Sequence, residues 1–313
     1  MSRSAPHIVG AMLARVLVLV CLAMAGPVWA QTCHLPADSH EARLLAFFEA
    51  PLAFSTATGP EQHEPLTVRF GVEVSPLPSP DSSLRATGVC YLAKSEHTTL
   101  APVFPRPRIT VWLPFGFAAE ASYDPPIPIG QANVDIGSLA LAYTHRIVSL
   151  PGADLAVGLR AQGTLGRITG PITCPQSALQ LTDTSAACYG TKPSKDAFNP
   201  AMFGVEGSLG ASFLNGHLAT YVGGGLSRLY PTFDVGFHSA SYSITYGGTP
   251  GVGFGYGSAT PYLPHLVVDL TRGTVFGGVV WHVTRAFDVN TQVYSVPKDV
   301  TTFRFGAGYR LGT

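Results

Sequence analysis

Charge is what this sequence has least of. Asp, Glu, Lys and Arg make up 12% of its 313 residues, against about 25% in an ordinary soluble domain. Neither sign dominates, since 19 Lys and Arg face 19 Asp and Glu. That balance excludes nucleic acid as a partner, because a binder of phosphate backbones carries a basic excess. Long apolar runs are missing after the first thirty residues, so no membrane-spanning helix is available there. Any insertion into a bilayer must then use a closed barrel, because unpaired backbone groups cannot face lipid. Catalytic motifs are missing too: there is no GxSxG, HExxH or Walker sequence. The Gly-rich runs 223–225 and 251–257 do not sit between a strand and a helix, so they are not phosphate cradles. No CxxC or His pair stands at metal-ligand spacing. Neither a metal nor a cofactor is expected.

The first thirty residues have the make-up of a secretory signal peptide. Arg3 and Arg15 precede a short apolar run, and Val28 and Ala30 stand at the cleavage positions before Gln31. Of five cysteines, Cys21 lies in that leader. The others are Cys33, Cys90, Cys174 and Cys188, an even number in an exported chain, which points to two disulfides. Three pairings are possible; Cys33–Cys90 and Cys174–Cys188 are favoured.

What the chain does have is alternation. Residues 273–311 fall into three runs separated by tight turns. Val275, Gly277, Val279 and Trp281 share one face of the first. Phe287, Val289, Thr291 and Val293 share a face of the second, opposite Asp288, Asn290 and Gln292. Phe303, Phe305, Ala307, Tyr309 and Leu311 share a face of the third, opposite Arg304 and Arg310. Period two over about ten residues is the pattern of a strand long enough to cross a bilayer when tilted. One face apolar and the other small or polar suits lipid outside and a polar interior.

The same reading runs back along the chain. Strands are expected at 66–75, 87–94, 108–123, 133–147, 155–168, 201–214, 218–226 and 265–272 onward. A Pro-rich connector is expected at 102–107, a break at Pro125–Pro128, and a bulge near Gly137 and Ser138, where the apolar parity changes. Asn215-Gly216 is a hairpin signal that would oppose Phe213 to Leu218. Connections run long at 170–200, short at 215–216, long at 238–262 and short at 284–286. The count is ten strands, or twelve if 231–264 holds another pair. Residues 31–65 precede the barrel, and 40–50 form a short helix stopped by Pro51. It reads first as a helix packed on the periplasmic end, with a plug inside the lumen as the alternative. The topology places Cys33 and Cys90 on the periplasmic side and Cys174 with Cys188 outside.

The leader ending Val28-Trp-Ala30, the run Thr220-Tyr-Val-Gly-Gly-Gly-Leu226 and the closing Phe303-Arg-Phe-Gly-Ala-Gly-Tyr-Arg-Leu311 together resemble bacterial outer-membrane β-barrel proteins. The chain departs from their usual aromatic C-terminus, continuing to Thr313. The resemblance covers residues 66–313. It implies an all-β closed antiparallel barrel in the bacterial outer membrane, with outer-membrane lipid, lipopolysaccharide and the barrel-insertion machinery as partners. Trp112, Trp281, Tyr123, Tyr143, Tyr221, Tyr294 and Tyr309 would supply its aromatic girdles.

The candidate site follows from which polar residues point inward. Alternation turns Arg69, Glu73, Arg160, Gln162, Glu206, Asp288, Asn290 and Arg304 to the lumen. They form either a charged constriction that selects solutes or a network of ion pairs filling a narrow interior. The function expected is a small-solute channel or a structural or surface-binding barrel. A barrel hydrolase is the alternative, although His145, His217, His238 and His282 are scattered and no catalytic residue can be named. A soluble, secreted β-sandwich binding protein is the other alternative.

Overall fold

The computed structural model describes residues 32–81, 84, 102–182, 188–236 and 265–312. The signal-peptide expectation therefore lies outside the described residues, as do the strand expected at 87–94 and Cys90.

Ten long strands close into a barrel. They are β2 (Val68–Pro76), β3 (Val103–Trp112), β4 (Phe117–Ile129), β5 (Ala132–Leu150), β6 (Ala153–Gly170), β8 (Ala201–Phe213), β9 (Leu218–Leu229), β12 (Leu270–His282), β13 (Phe287–Val296) and β14 (Val300–Leu311). Each pairs antiparallel with its neighbours. Closure comes from β14 against β2, with Tyr309 opposite Phe70. The ten strands thus form one closed ring of pairings, open only where β3 and β4 diverge beyond Ile109 and Ala121, and closure is how a membrane barrel satisfies its backbone without water. The apolar faces turn outward on strand after strand: Phe70, Leu141, Leu159, Val205, Val222, Val279, Phe303 and Phe305 are all exposed. Charged and polar side chains turn inward and are buried. This inversion of the globular pattern is the architecture of a transmembrane barrel.

Four short strands extend the barrel at one end. They are β1 (Thr32–His34), β7 (Asp196–Asn199), β10 (Thr232–Asp234) and β11 (His265–Val267). β7 continues from the end of β6, β10 joins β7, β11 joins β10, and β1 lies parallel to β11. This is the end from which the long connections leave, here called the loop end. The opposite turn end carries the short connections at 113–116, 151–152, 214–217 and 283–286. At one of these turns Phe213 opposes Leu218, and Leu214, Asn215 and Gly216 all take left-handed backbone.

Several expectations are corrected. Residues 108–123 are not one strand: the turn Pro114–Gly116 divides them into β3 and β4, with Phe115 and Gly116 in the left-handed region. Pro105 and Pro107 are not a connector but lie within β3. That strand meets β4 only over Ile109–Trp112, so the prolines occupy a stretch unpaired on one side, where a missing N–H is tolerated. β4 runs through Pro125–Pro128 with a register shift between Asp124 and Ile127. Nor is there a bulge at Gly137. Val134, Ile136 and Ser138 all point inward, and Leu139 and Leu141 outward, without a break in parity. The parity of hydrophobicity changes because the filling of the lumen changes from apolar to polar there.

The filling is the N-terminal segment. Helix α1 (His40–Glu49) is capped by Ser39, whose hydroxyl accepts from Ala42 N–H at 3.1 Å. It ends in the 3-10 turn Ala50–Leu52 at Pro51. Ala42, Leu44, Leu45, Ala46, Phe47 and Glu49 are all buried. With only His40 and Arg43 left exposed, the helix needs apolar walls around most of its circumference. Phe104, Val134, Ile136, Met202, Tyr294 and Val296 supply them from inside the barrel. α1 therefore sits inside the lumen, in its loop-end half. Cys33 likewise lies at the loop end, opposite Leu266. From α1 the chain runs down the lumen to the turn end, where β2 begins.

Candidate functional site: a plugged lumen

Residues 51–57 pass from the 3-10 turn into a segment with no helix or strand ladder of its own and cross the middle of the lumen. Such a segment offers its carbonyls no internal partners, and buried carbonyls must be satisfied. The barrel wall satisfies all seven in succession. Arg304 donates to Pro51 O (3.3 Å), Arg106 to Leu52 O (2.6 Å) and Ala53 O (3.0 Å), and Arg160 to Phe54 O (2.6 Å). Arg108 donates to Ser55 O (2.7 Å), Gln292 to Thr56 O (2.9 Å) and Tyr221 to Ala57 O (3.3 Å). The Phe54 ring, fully buried, lies 4.2 Å from the Arg108 guanidinium, 5.1 Å from that of Arg160 and 5.5 Å from that of Arg106. Three cations around one aromatic face are favourable where water is excluded.

The same guanidiniums hold the buried carboxylates. Arg108 donates to Glu73 at 2.6 Å and to Glu120 at 2.9 Å. Arg160 donates to Glu120 and lies 3.7 Å from Glu206. Glu206 also accepts from Gln162 at 2.8 Å and Ser55 at 3.4 Å. Five donors on one rigid fork let each Arg serve a carboxylate and a carbonyl together, which Lys could not do. Of the eight inward residues named from the sequence, Glu73, Arg160, Gln162, Glu206 and Arg304 gather around the plug. Arg69 and Asp288 form a separate pair nearer the turn end, at 2.6 Å. Arg69 lies flat across Gly308, where a Cβ would come within 2.2 Å of it. Asn290 lies over Gly306.

Sequence reasoning missed Arg106, Arg108 and Glu120, turned Arg310 inward without giving it a role, and held the plug only as an alternative. Arg106 and Arg108 alternate with prolines, and that alternation was the available signal.

At the turn end the plug meets the wall through a closed ring of four side chains. Glu61 accepts from the Nε2 atoms of His63 and His282, each at 3.2 Å. Arg310 lies 3.2 Å from His63 Nδ1 and 2.6 Å from His282 Nδ1. Arginine only donates, so both Nδ1 atoms accept and both Nε2 atoms carry hydrogen. Burial alone would raise the Glu61 carboxyl, but the hydrogen bonds from His282 and His63 oppose it and hold Glu61 below its ordinary range. At the other end of the plug, burial pushes the Glu49 carboxyl well above its ordinary range, opposed only by the hydrogen bond from Ala201 N–H. A cavity of about 540 Å³ opens beside the ring, lined by Glu61, His63, Arg146, His217, His282 and Arg310. A second, of about 230 Å³, lies on the far side of residues 61–63 against Trp112 and Phe117.

The loop end is tied by the Cys174–Cys188 disulfide. Beside it Asp196 accepts from Thr173 N–H at 2.6 Å and from the hydroxyls of Thr173 and Ser194. Cys33 is also disulfide-bonded. No group of His, Cys, Asp and Glu able to hold a metal is found among the described residues.

No family model matches the chain and no curated protein matches it. Solved structures do. The attachment invasion locus protein Ail of Yersinia pestis matches at 9% identity, over 79% of this chain and 100% of that one, with a TM-score of 0.32. The outer membrane protease OmpT of Escherichia coli matches at 8% identity, over 79% and 94%, with a TM-score of 0.35. The translocator domain of the autotransporter NalP of Neisseria meningitidis matches at 9% identity, over 80% and 90%, with a TM-score of 0.29. At such scores the likeness adds nothing further; the architecture rests on this chain's own closure, register and exposed apolar belt.

Proposed function

We propose that this is an outer-membrane barrel sealed by its own N-terminal segment, which acts through its loop end as a structural or surface-binding protein. Short turns face the periplasm and long loops the exterior in bacterial barrels, which sets the turn end inside. The carrying observation is the run of seven consecutive plug carbonyls held by wall side chains. Leu52, Ala53, Phe54 and Ser55 are at most 2% exposed, so no solute path passes them. The five inward residues that gather around the plug, Glu73, Arg160, Gln162, Glu206 and Arg304, then serve as its receptor and not as a selectivity filter. Planar-bilayer recording tests the reading. The wild-type protein should give no stepwise conductance, while Phe54→Ala should admit brief openings. A steady open pore in the wild type would overturn it.

A further inference from the structure

The ring at the turn end is built around a proton count. Two neutral imidazoles stand between one guanidinium and one carboxylate, and every ring nitrogen is used. An imidazole that gains a second proton becomes a donor at both nitrogens. Its Nδ1–H would then point at the Arg310 guanidinium, donor against donor and cation against cation. The contact with Glu61 would strengthen at the same moment.

We infer that Arg310, His63 and His282 form an acid-released latch that ties the plug to β14 at neutral pH and frees it from β14 when an imidazole is protonated. The inference rests on the reading of a plugged lumen and adds its regulation. The surroundings give Arg310 somewhere to go: Asp288 Oδ2 on β13 lies 3.7 Å from its Nε. Asp288 is already shared with Arg69 from β2, so a second guanidinium completes a pair around one carboxylate. His63 has Trp112 of β3 beside it, with ring centroids 4.2 Å apart, a face that favours an imidazolium over an imidazole. His282 carries His217 on its carbonyl oxygen at 3.1 Å. The remaining charges facing the ring across the larger cavity are Arg146 on β5, Asp154 on β6 and Arg285 in the β12–β13 turn.

Residues 61–63 are the partition between the two turn-end cavities. Loss of the Arg310 tie lets that partition move, with room on both sides. The middle of the plug does not share in this, because five of its seven carbonyls are held by guanidiniums that keep their charge at any physiological pH, and the other two by Gln292 and Tyr221. With Arg310 gone and the Glu61–His282 contact left to hold it to the wall, acid loosens residues 58–66 and leaves 51–57 in place.

Hydrogen exchange on the full-length protein, refolded in detergent, tests the latch. Peptides covering 58–66 should lose protection by about tenfold, after correction for the intrinsic rate, between about pH 7.5 and 5.5, whereas 51–57 stay protected. The double variant His63→Asn with His282→Asn keeps an acceptor for Arg310 but cannot gain a proton. In it the loss at 58–66 should vanish. Unchanged protection at 58–66 in the wild type, or an equal loss in the double variant, overturns the latch. Free exchange at 51–57 at both pH values overturns instead the plugged-lumen reading beneath it.

Discussion

Arg106 on β3 donates to the carbonyl of Leu52, 54 positions earlier in the chain, at 2.6 Å. The contact joins a strand of the wall to the peptide that fills the lumen. Removing the guanidinium leaves two plug carbonyls and part of Glu73 without a partner in a dry interior. Breaking a buried charge network this way costs about 3–5 kcal/mol. Arg106→Ala should fall in that range by denaturant unfolding in detergent, and Arg106→Lys should recover only part of the loss because Lys cannot reach both carbonyls at once.

Phe54 and Phe115 give a contrast within one residue type. Phe54 is fully buried among three guanidiniums, whereas Phe115 is 89% exposed on a turn. Phe54→Ala should destabilise by about 3–5 kcal/mol. Phe115→Ala should stay within about 0.5 kcal/mol. Thermal unfolding of the two variants side by side checks the pair.

Glu49 predicts a pH dependence with a definite sign. Its folded carboxyl titrates above its unfolded one because burial disfavours the charge. Its contribution is therefore complete below the unfolded value of about 4.3 and is lost as pH rises towards the folded value. Glu49→Gln keeps an acceptor for Ala201 N–H and cannot ionise. The stability of the wild type relative to Glu49→Gln should fall as pH rises above about 4.3, measured by unfolding at a series of pH values. Acid thus steadies the loop end of the plug while it releases the turn end.

The threading direction fixes a topology. β1 pairs with β11 at the loop end and β2 starts at the turn end, so the chain reaches the loop end first. An epitope placed in the exposed turn 36–38 should be stained by antibody on intact cells. The same epitope at Gly216 should be stained only after the outer membrane is opened.

Much of the wall could be read from alternation because lipid and lumen impose opposite demands on adjacent residues. Val275, Val279, Phe303 and Phe305 point outward, and Arg69, Glu73 and Arg304 inward, on that rule alone. The rule failed where both faces became apolar. Val134 and Ile136 are as hydrophobic as lipid-facing residues, yet they face α1 inside the barrel. It failed again at Pro105 and Pro107, since a strand paired on one side tolerates prolines that a central strand would not. The plug was hardest to see. Residues 51–57 have no periodicity of their own, because their structure is imposed by Arg106, Arg108, Arg160 and Arg304 far along the chain. The ring of Glu61, His63, His282 and Arg310 spans nearly the whole described sequence and has no local signature at all.

The threaded segment is tested most directly by a covalent bond across the lumen. Pro60 approaches β6 so closely that a Cβ built on Gly158 lies 2.9 Å from the Pro60 Cβ, a separation that small shifts bring into disulfide range. Pro60→Cys with Gly158→Cys should form a disulfide on folding, visible as a gel shift after cleavage of the chain between the two positions. A folded, heat-modifiable barrel in which these two cysteines stay unlinked under oxidising conditions would contradict the plug.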